Sequence, residues 1–333
     1  MLAIDINQES VIQDSAHWIC RLAVVVIAMF FGTFDALAQS DVIRLIPLDA
    51  PVIAGMRRAP HDQINDNLWL ATKNNREDLN ELITLTASDP ARRFDEVIVT
   101  DSAMRSDGTS SHLLLAVGKF DIARTTTRGF VTKYLVYKNM PVLAIESDID
   151  ATRGVRWLAV PRQDLAVLGD PTAVQQALDR FLNHSPADPG IEVRVGRFHA
   201  QDTAWSSLKL SARQIEAQLA LHASNDVLLS SLRQTRELDL HIELGSKVKI
   251  EIGADSDSAD QSSEAVRALR AVLVDSGTPV QPIALSDGAK SYIRVAMKRE
   301  AYERWLDTFR RTRMKRLFEA ALAAGGQSSD SGT

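Results

Sequence analysis

The segment RELDLHIELGSKVKIEIGAD (Arg236–Asp255) constrains the fold of this chain more than any other. Leu238, Leu240, Ile242 and Leu244 alternate with polar residues, Gly245-Ser246 interrupts the run, and Val248, Ile250 and Ile252 alternate back. Successive side chains of a strand point to opposite faces, so two such runs around a short polar turn predict an antiparallel hairpin with one buried face.

Weaker versions of the signal recur along the chain. FDEVIVTDS (Phe94–Ser102) and SHLLLAVGKF (Ser111–Phe120) are β-rich runs joined by a polar connection. TKYLVYKNMPVLAIES turns at Lys138-Asn139, and VRWLAV and DLAVLGD continue the series. DVIRLIPLDAPVIAGMR (Asp41–Arg57) has strand-spaced apolar residues around a turn at Pro47–Asp49, and SYIRVAM (Ser291–Met297) reads as a late strand. IEVRVGRF reads as the strand that opens a second half.

Helical spacing appears at Arg76–Ser88, where Leu79, Leu82, Ile83 and Thr86 share a face, and from Pro171 to about Asn183. It appears again at Ile215, Leu219 and His222, over Ser262–Asp275 with Val266, Leu269 and Leu273 inward, and over Glu300–Ala323. Asp121 and Gly129 bracket one or two further turns.

HSPADPG (His184–Gly190) is the best linker candidate. The expectation is therefore an α+β chain of two related halves, residues 41–185 and 190–323. Each is predicted to be an antiparallel sheet with helices on one face, of the split βαβ, ferredoxin-like kind. A doubly wound parallel sheet would need regular strand–helix alternation, which the patterns lack. Residues 324–333 (GGQSSDSGT with the preceding Ala) have a disordered composition.

The N-terminus reads as a targeting segment. Arg21 precedes thirteen apolar residues (Leu22–Phe34), and Ala36-Leu37-Ala38 supplies a signal-peptidase site, so cleavage is expected after Ala38. Thirteen residues fall short of the ~20 that a spanning helix needs, which argues against a retained anchor. The stretch before Arg21 carries Asp5, Glu9 and Asp14 and no Lys or Arg, which points to a start downstream of Met1. That start is not Met29, which would divide the apolar core.

Removing residues 1–38 takes away Arg21 and four acids, leaving 37 basic and 39 acidic residues and a net charge of −2. It also removes Cys20, the one cysteine, and with it disulfide, thiolate and Cys–metal chemistry. A near-neutral exported chain has no general attraction for nucleic acid.

Gly169-Asp170-Pro171, after a strand and before a helix, has half the form of an anion-binding turn. Asp170 at N-cap and Pro171 at N1 are instead the residues that start a helix, and the aspartate would repel a phosphate. His61, Asp62 and Asp66 form a polar loop that lacks the four spaced ligands of a structural metal site. Asp255–Asp260 (DSDSAD) departs from a calcium loop at Ala259, Asp260 and Val266 and reads as a turn before a helix cap, with Ser258 and Gln261 forming one version of a capping box. His112 and His241 fall in strand patterns and read as sheet-face histidines. These features imply no catalytic, metal or cofactor residue, and no cofactor.

FRRTRMKRLFEAALAA (Phe309–Ala324) holds the candidate interaction residues Arg310, Arg311, Arg313, Lys315 and Arg316, five bases in seven positions. A basic amphipathic helix suits an anionic membrane surface or an acidic protein partner. Otherwise it packs on the second half with its charges in solvent.

IPLDAPVIAG, FDEVIV, LLLAVGKFD and LAVLGDPTAVQQALDRFL together resemble a loosely defined group of uncharacterised exported bacterial proteins with ferredoxin-like α+β halves. The resemblance covers about residues 41–320 and implies architecture and location, with no catalytic residues to carry over. The expected function is non-catalytic binding or scaffolding in the periplasm. The alternative is a hydrolase whose site is assembled between the halves from His61, Asp62 and their neighbours.

Overall fold

Most of the alternating segments enter one antiparallel sheet. In a computed structural model of the chain, the structure describes residues 42–57, 77–86, 94–102, 111–120, 130–147, 154–199, 202–209, 231–275, 277–305 and 308. The first strands are β1 (Val52–Arg57), β2 (Phe94–Asp101), β3 (His112–Gly118), β4 (Phe130–Tyr137), β5 (Met140–Ser147), β6 (Arg156–Arg162) and β7 (Leu165–Gly169). β8 (Ala204–Lys209), β9 (Thr235–Leu244), β10 (Lys247–Ser256), β11 (Ile283–Asp287) and β12 (Lys290–Lys298) complete the set. The helices are α1 (Glu77–Thr86), α2 (Pro171–Leu182), α3 (Pro189–Val195) and α4 (Ala259–Asp275), and residues 299–305 are also helical.

The twelve strands run β11-β12-β10-β9-β8-β1-β2-β3-β7-β6-β5-β4, every neighbouring pair antiparallel. β1 and β8 pair from Val52↔Leu208 to Met56↔Ala204, so the sheet crosses without a break from the early strands to the late ones.

One face packs on α1, α4 and residues 299–305, through Leu82, Leu85, Val266, Leu269, Tyr302 and Trp305. The opposite face packs on residues 42–50, α2 and α3, through Leu45, Val174, Leu178, Ile191 and Val195. Helices thus cover both faces of the early strands, not one face as the sequence predicts. The reason lies in β2, β3 and β7, whose burial is nearly continuous and leaves two apolar surfaces to cover.

Two predicted strands are helical. Residues 42–46 form a tight turn, with Leu45 N–H donating to Val42 O and Ile46 N–H to Ile43 O. Ile191–Phe198 does not extend either: Asp188 accepts from Ile191 N–H at 3.0 Å, Pro189 sits in the first turn, and Ile191, Arg194 and Val195 turn inward at helical spacing. The cap and proline decide the conformation over a period-two pattern only a few residues long.

The Gly169-Asp170-Pro171 joint is a clamp on β3. α2 begins at Pro171 as expected, yet the Asp170 carboxylate does not cap it. Its Oδ2 accepts from His112 N–H at 2.5 Å while Asp170 N–H donates to His112 O at 3.0 Å. The His112 ring in turn meets Asp101 Oδ1 at 2.8 Å. A Cβ on Gly169 would lie 2.2 Å from the His112 carbonyl oxygen, which is backbone and cannot swing away. Gly169→Ala is expected to cost at least about 2–3 kcal/mol in denaturant unfolding, the upper range for overpacking. A loss under about 0.5 kcal/mol, the level of an ordinary surface change, would contradict the clamp.

Candidate binding face

The side chains of β9, β10 and β12 that point away from α4 form regular rows across the strands. Trp205 on β8 stands beside His241, then Glu251, Arg294 and Ile283. In the next row Ser207 stands beside Asp239, Gly253, Tyr292 and Leu285. The first row therefore runs from a buried indole at β8 to paired charges at β10 and β12, and both rows end on an apolar residue at the β11 edge. Ile283 is 61% exposed and Leu285 40%. Among the described residues, the helices on this side contribute buried apolar residues only to the cluster that runs from the early strands as far as Trp205 on β8.

The inner border is fixed by a buried charge network. Arg194 of α3 is 2% exposed and donates from Nε to Glu237 Oε1 at 2.9 Å. It also donates to Ala50 O at 2.6 Å, Pro51 O at 3.0 Å and Ser207 O at 3.0 Å, which ties α3 to the start of β1 and to β8. The Ser207 hydroxyl donates to the same Glu237 oxygen. Arg197 Nη1 bridges Glu237 Oε2 at 2.7 Å and Asp239 Oδ2 at 3.0 Å.

Burial raises the Glu237 pKa, but hydrogen bonds from Ser207 and Arg197 and the charges of both arginines outweigh it and hold the carboxyl below its ordinary range. Asp239 is shifted the other way, by burial first and then by Glu237, against a weaker pull from Arg197.

Next to this network, His241 Nδ1 lies 2.9 Å from Asp202 Oδ2, which also accepts from His199 N–H at 2.6 Å. Phe198 packs 4.7 Å from the His241 ring and stacks 4.6 Å from Trp205. An aspartate on imidazole Nδ1 is the orienting half of a Ser-His-Asp triad. Among the described residues no hydroxyl is bonded to that ring, and the pair ties Asp202 and the His199 backbone to β9.

Farther out, Arg294 Nε donates to Glu251, Lys249 to Glu243 at 2.8 Å, and Arg236 to Asp255 at 2.9 Å. Tyr292 lies over Gly253, where a Cβ would come within 3.2 Å of the ring. Burial, then the charges of Glu251, Asp287, Asp239 and Asp255, raise the Tyr292 pKa; Glu251 is paired with Arg294, Asp239 with Arg197, and Asp255 with Arg236 and Lys290.

No protein-family model, curated protein or solved structure matches the chain. The face is accordingly read from its own chemistry. Sequence reasoning placed His241 on a sheet face but missed Tyr292 with its neighbours on β11. Gly288, the first of the two turn residues with φ +58°, is the signal that would have found that strand, since a leading glycine suits a two-residue type II′ hairpin turn. Asp255 is engaged by Arg236 and by Lys290 at 3.7 Å, and Ser258 Oγ accepts from Gln261 N–H at 3.4 Å at the start of α4. His61, Asp62, Asp66 and the bases Arg310, Arg311, Arg313, Lys315 and Arg316 lie outside the described residues, as does the 1–38 segment.

Proposed function

We propose that this chain is an exported, non-catalytic binding protein whose protein partner docks on the open face of β9, β10, β12 and β11. One observation carries the reading: the same sheet face is roofed by residues 42–50, α2 and α3 over the early strands and bare of described helices over the late ones. Apolar Ile283, Leu285 and Tyr292 set among paired charges resemble the mixed composition of a protein interface. Most of the charges around Tyr292 are ion-paired, which suits a protein partner of mixed charge and gives this face no net attraction for nucleic acid or an anionic bilayer. Export rests on Arg21, the apolar run Leu22–Phe34 and the Ala36-Leu37-Ala38 site.

The finer expectation of two related, ferredoxin-like halves is part of the same proposal. Its support is a shared strand pattern: three consecutive strands, then a hairpin whose second strand returns beside the third. β1-β2-β3 with β6-β7 follows it, and so does β8-β9-β10 with β11-β12.

The test is capture of partners from the envelope fraction by purified protein. Combining Ile283→Asp, Leu285→Asp and Tyr292→Ala is expected to reduce partner recovery by roughly tenfold or more, the scale for losing interface anchors. Val193→Asp, at an exposed position on α3, is expected to leave recovery unchanged. Equal recovery by the triple variant, with its fold intact by melting, would exclude this face.

A further inference from the structure

We propose that β4, at the opposite end of the sheet, is the docking edge for a second copy of this chain, the two β4 strands pairing antiparallel about a two-fold axis at Tyr134. This is separate from the open-face reading and involves none of its residues.

β4 is the terminal strand, and its one partner among the described residues is β5. Lys138 and Asn139 close the β4–β5 hairpin with φ of 48° and 66°, the two positive values of a type I′ turn. The pair flanking such a turn, Tyr137↔Met140, exchanges both backbone hydrogen bonds, and the pattern alternates from there. Residues 137, 135 and 133 therefore bond inward to β5, while Thr132, Tyr134 and Val136 present N–H and C=O to the free edge.

Two of the same three residues carry the most exposed large apolar side chains among the described residues, Tyr134 at 66% and Val136 at 76%. Sheet edges in stable monomers are blunted by lysine, proline, bulges, inward charges, short length or a covering segment. β4 is eight residues long, FVTKYLVY, with no proline, an unshifted register against β5 and a single charge, Lys133. The other edge, β11, has five residues and ends in Asp287. An edge of this length, with one lysine as its protection among the described residues, calls for a strand, and β4 is complementary to itself.

A two-fold axis at Tyr134 sets Thr132 against Val136 and Tyr134 against its mate on one face, and Lys133 against Leu135 on the other. No like charges meet. Centring the pair one residue earlier would oppose the two Lys133 ammonium groups, which cross-strand pairing disfavours. The contact is isologous, so it closes at two copies and leaves each β11 outermost.

Sedimentation of the full chain across micromolar concentrations tests the proposal, with wild type expected as a dimer. Val136→Pro removes an outward N–H while sparing the bonds to β5, and Tyr134→Lys opposes two charges. Each is expected to raise the dimer dissociation constant at least tenfold with the melting temperature retained. In a Cys20→Ser background, Tyr134→Cys should form an intermolecular disulfide on oxidation and Lys133→Cys should not. A monomeric wild type, a dimer unaffected by both edge variants, or equal cross-linking at positions 133 and 134 would each overturn the proposal.

Discussion

Gly55→Ala is expected to be among the most destabilising single-methyl additions this chain can receive. Gly55 on β1 lies directly opposite Trp205 on β8, and the indole rests on the glycine. A Cβ there would stand 2.1 Å from Trp205 Cε2, far inside contact distance. The ring has nowhere to go. Trp205 is fully buried, Phe198 stacks on it at 4.6 Å, and the Arg57 guanidinium lies 5.8 Å from its centroid.

Arg57 is itself fixed, donating from Nε to Glu96 at 2.9 Å and from Nη1 to His199 O at 2.9 Å. Overpacking typically costs about 1–3 kcal/mol, and a site where neither partner can yield belongs at or above the top of that range. The clash falls on the β1–β8 pairing that joins the early and late strands, so denaturant unfolding should show a large loss. Trp205→Leu added to Gly55→Ala should recover part of that loss. Near-wild-type stability of Gly55→Ala would show that the indole does not rest on Gly55.

Glu237→Gln is expected to lose about 3–5 kcal/mol near neutral pH, the usual consequence of stranding a buried charge. Arg194 would keep its carbonyl acceptors but no full counter-charge, at 2% exposure. The pH dependence gives the sign. Glu237 titrates lower in the fold than its ordinary value of 4.5, so its contribution is fully present above that pH and is lost as pH falls through the depressed value. The gap between wild type and Glu237→Gln should therefore be widest at neutral pH and close in acid.

Asp239 behaves oppositely. Its raised pKa gives a contribution present below its ordinary 3.8 and lost as pH rises through the folded value. Asp239→Asn should thus be mild at neutral pH, leaving Glu237 as the carboxylate that the fold requires. A gap for Glu237→Gln that widens in acid would contradict the network.

What could be read from the sequence was local. The Arg236–Asp255 hairpin, the Lys138-Asn139 turn and the helix after Pro171 all appear where alternation, turn chemistry and an N-terminal proline put them. The misreadings come from short segments in which two periods fit equally well. IEVRVGRF alternates, but Asp188 and Pro189 start a helix through it. IALSD is too short to announce a strand except through the turn glycine, Gly288.

The candidate face was not legible for another reason. Its rows are assembled from five strands separated by up to about ninety residues, and nothing local marks Gly55 as the seat of Trp205 or Glu237 as the anion of Arg194. Asp170 shows the same limit at close range, since its identity as a helix starter was readable and its bond to His112 was not.

The central proposal is that the late half of the sheet offers a face bare of helices among the described residues to a protein partner. Photo-cross-linking from single positions tests it most directly. A photoreactive amino acid is placed at Tyr292 or Leu285 on the face, or at Val193 on α3, and irradiated in cells. The account predicts a discrete protein adduct from positions 292 and 285 and none from 193. The same adduct from position 193, or none from 292 and 285 in a folded, exported protein, would contradict it.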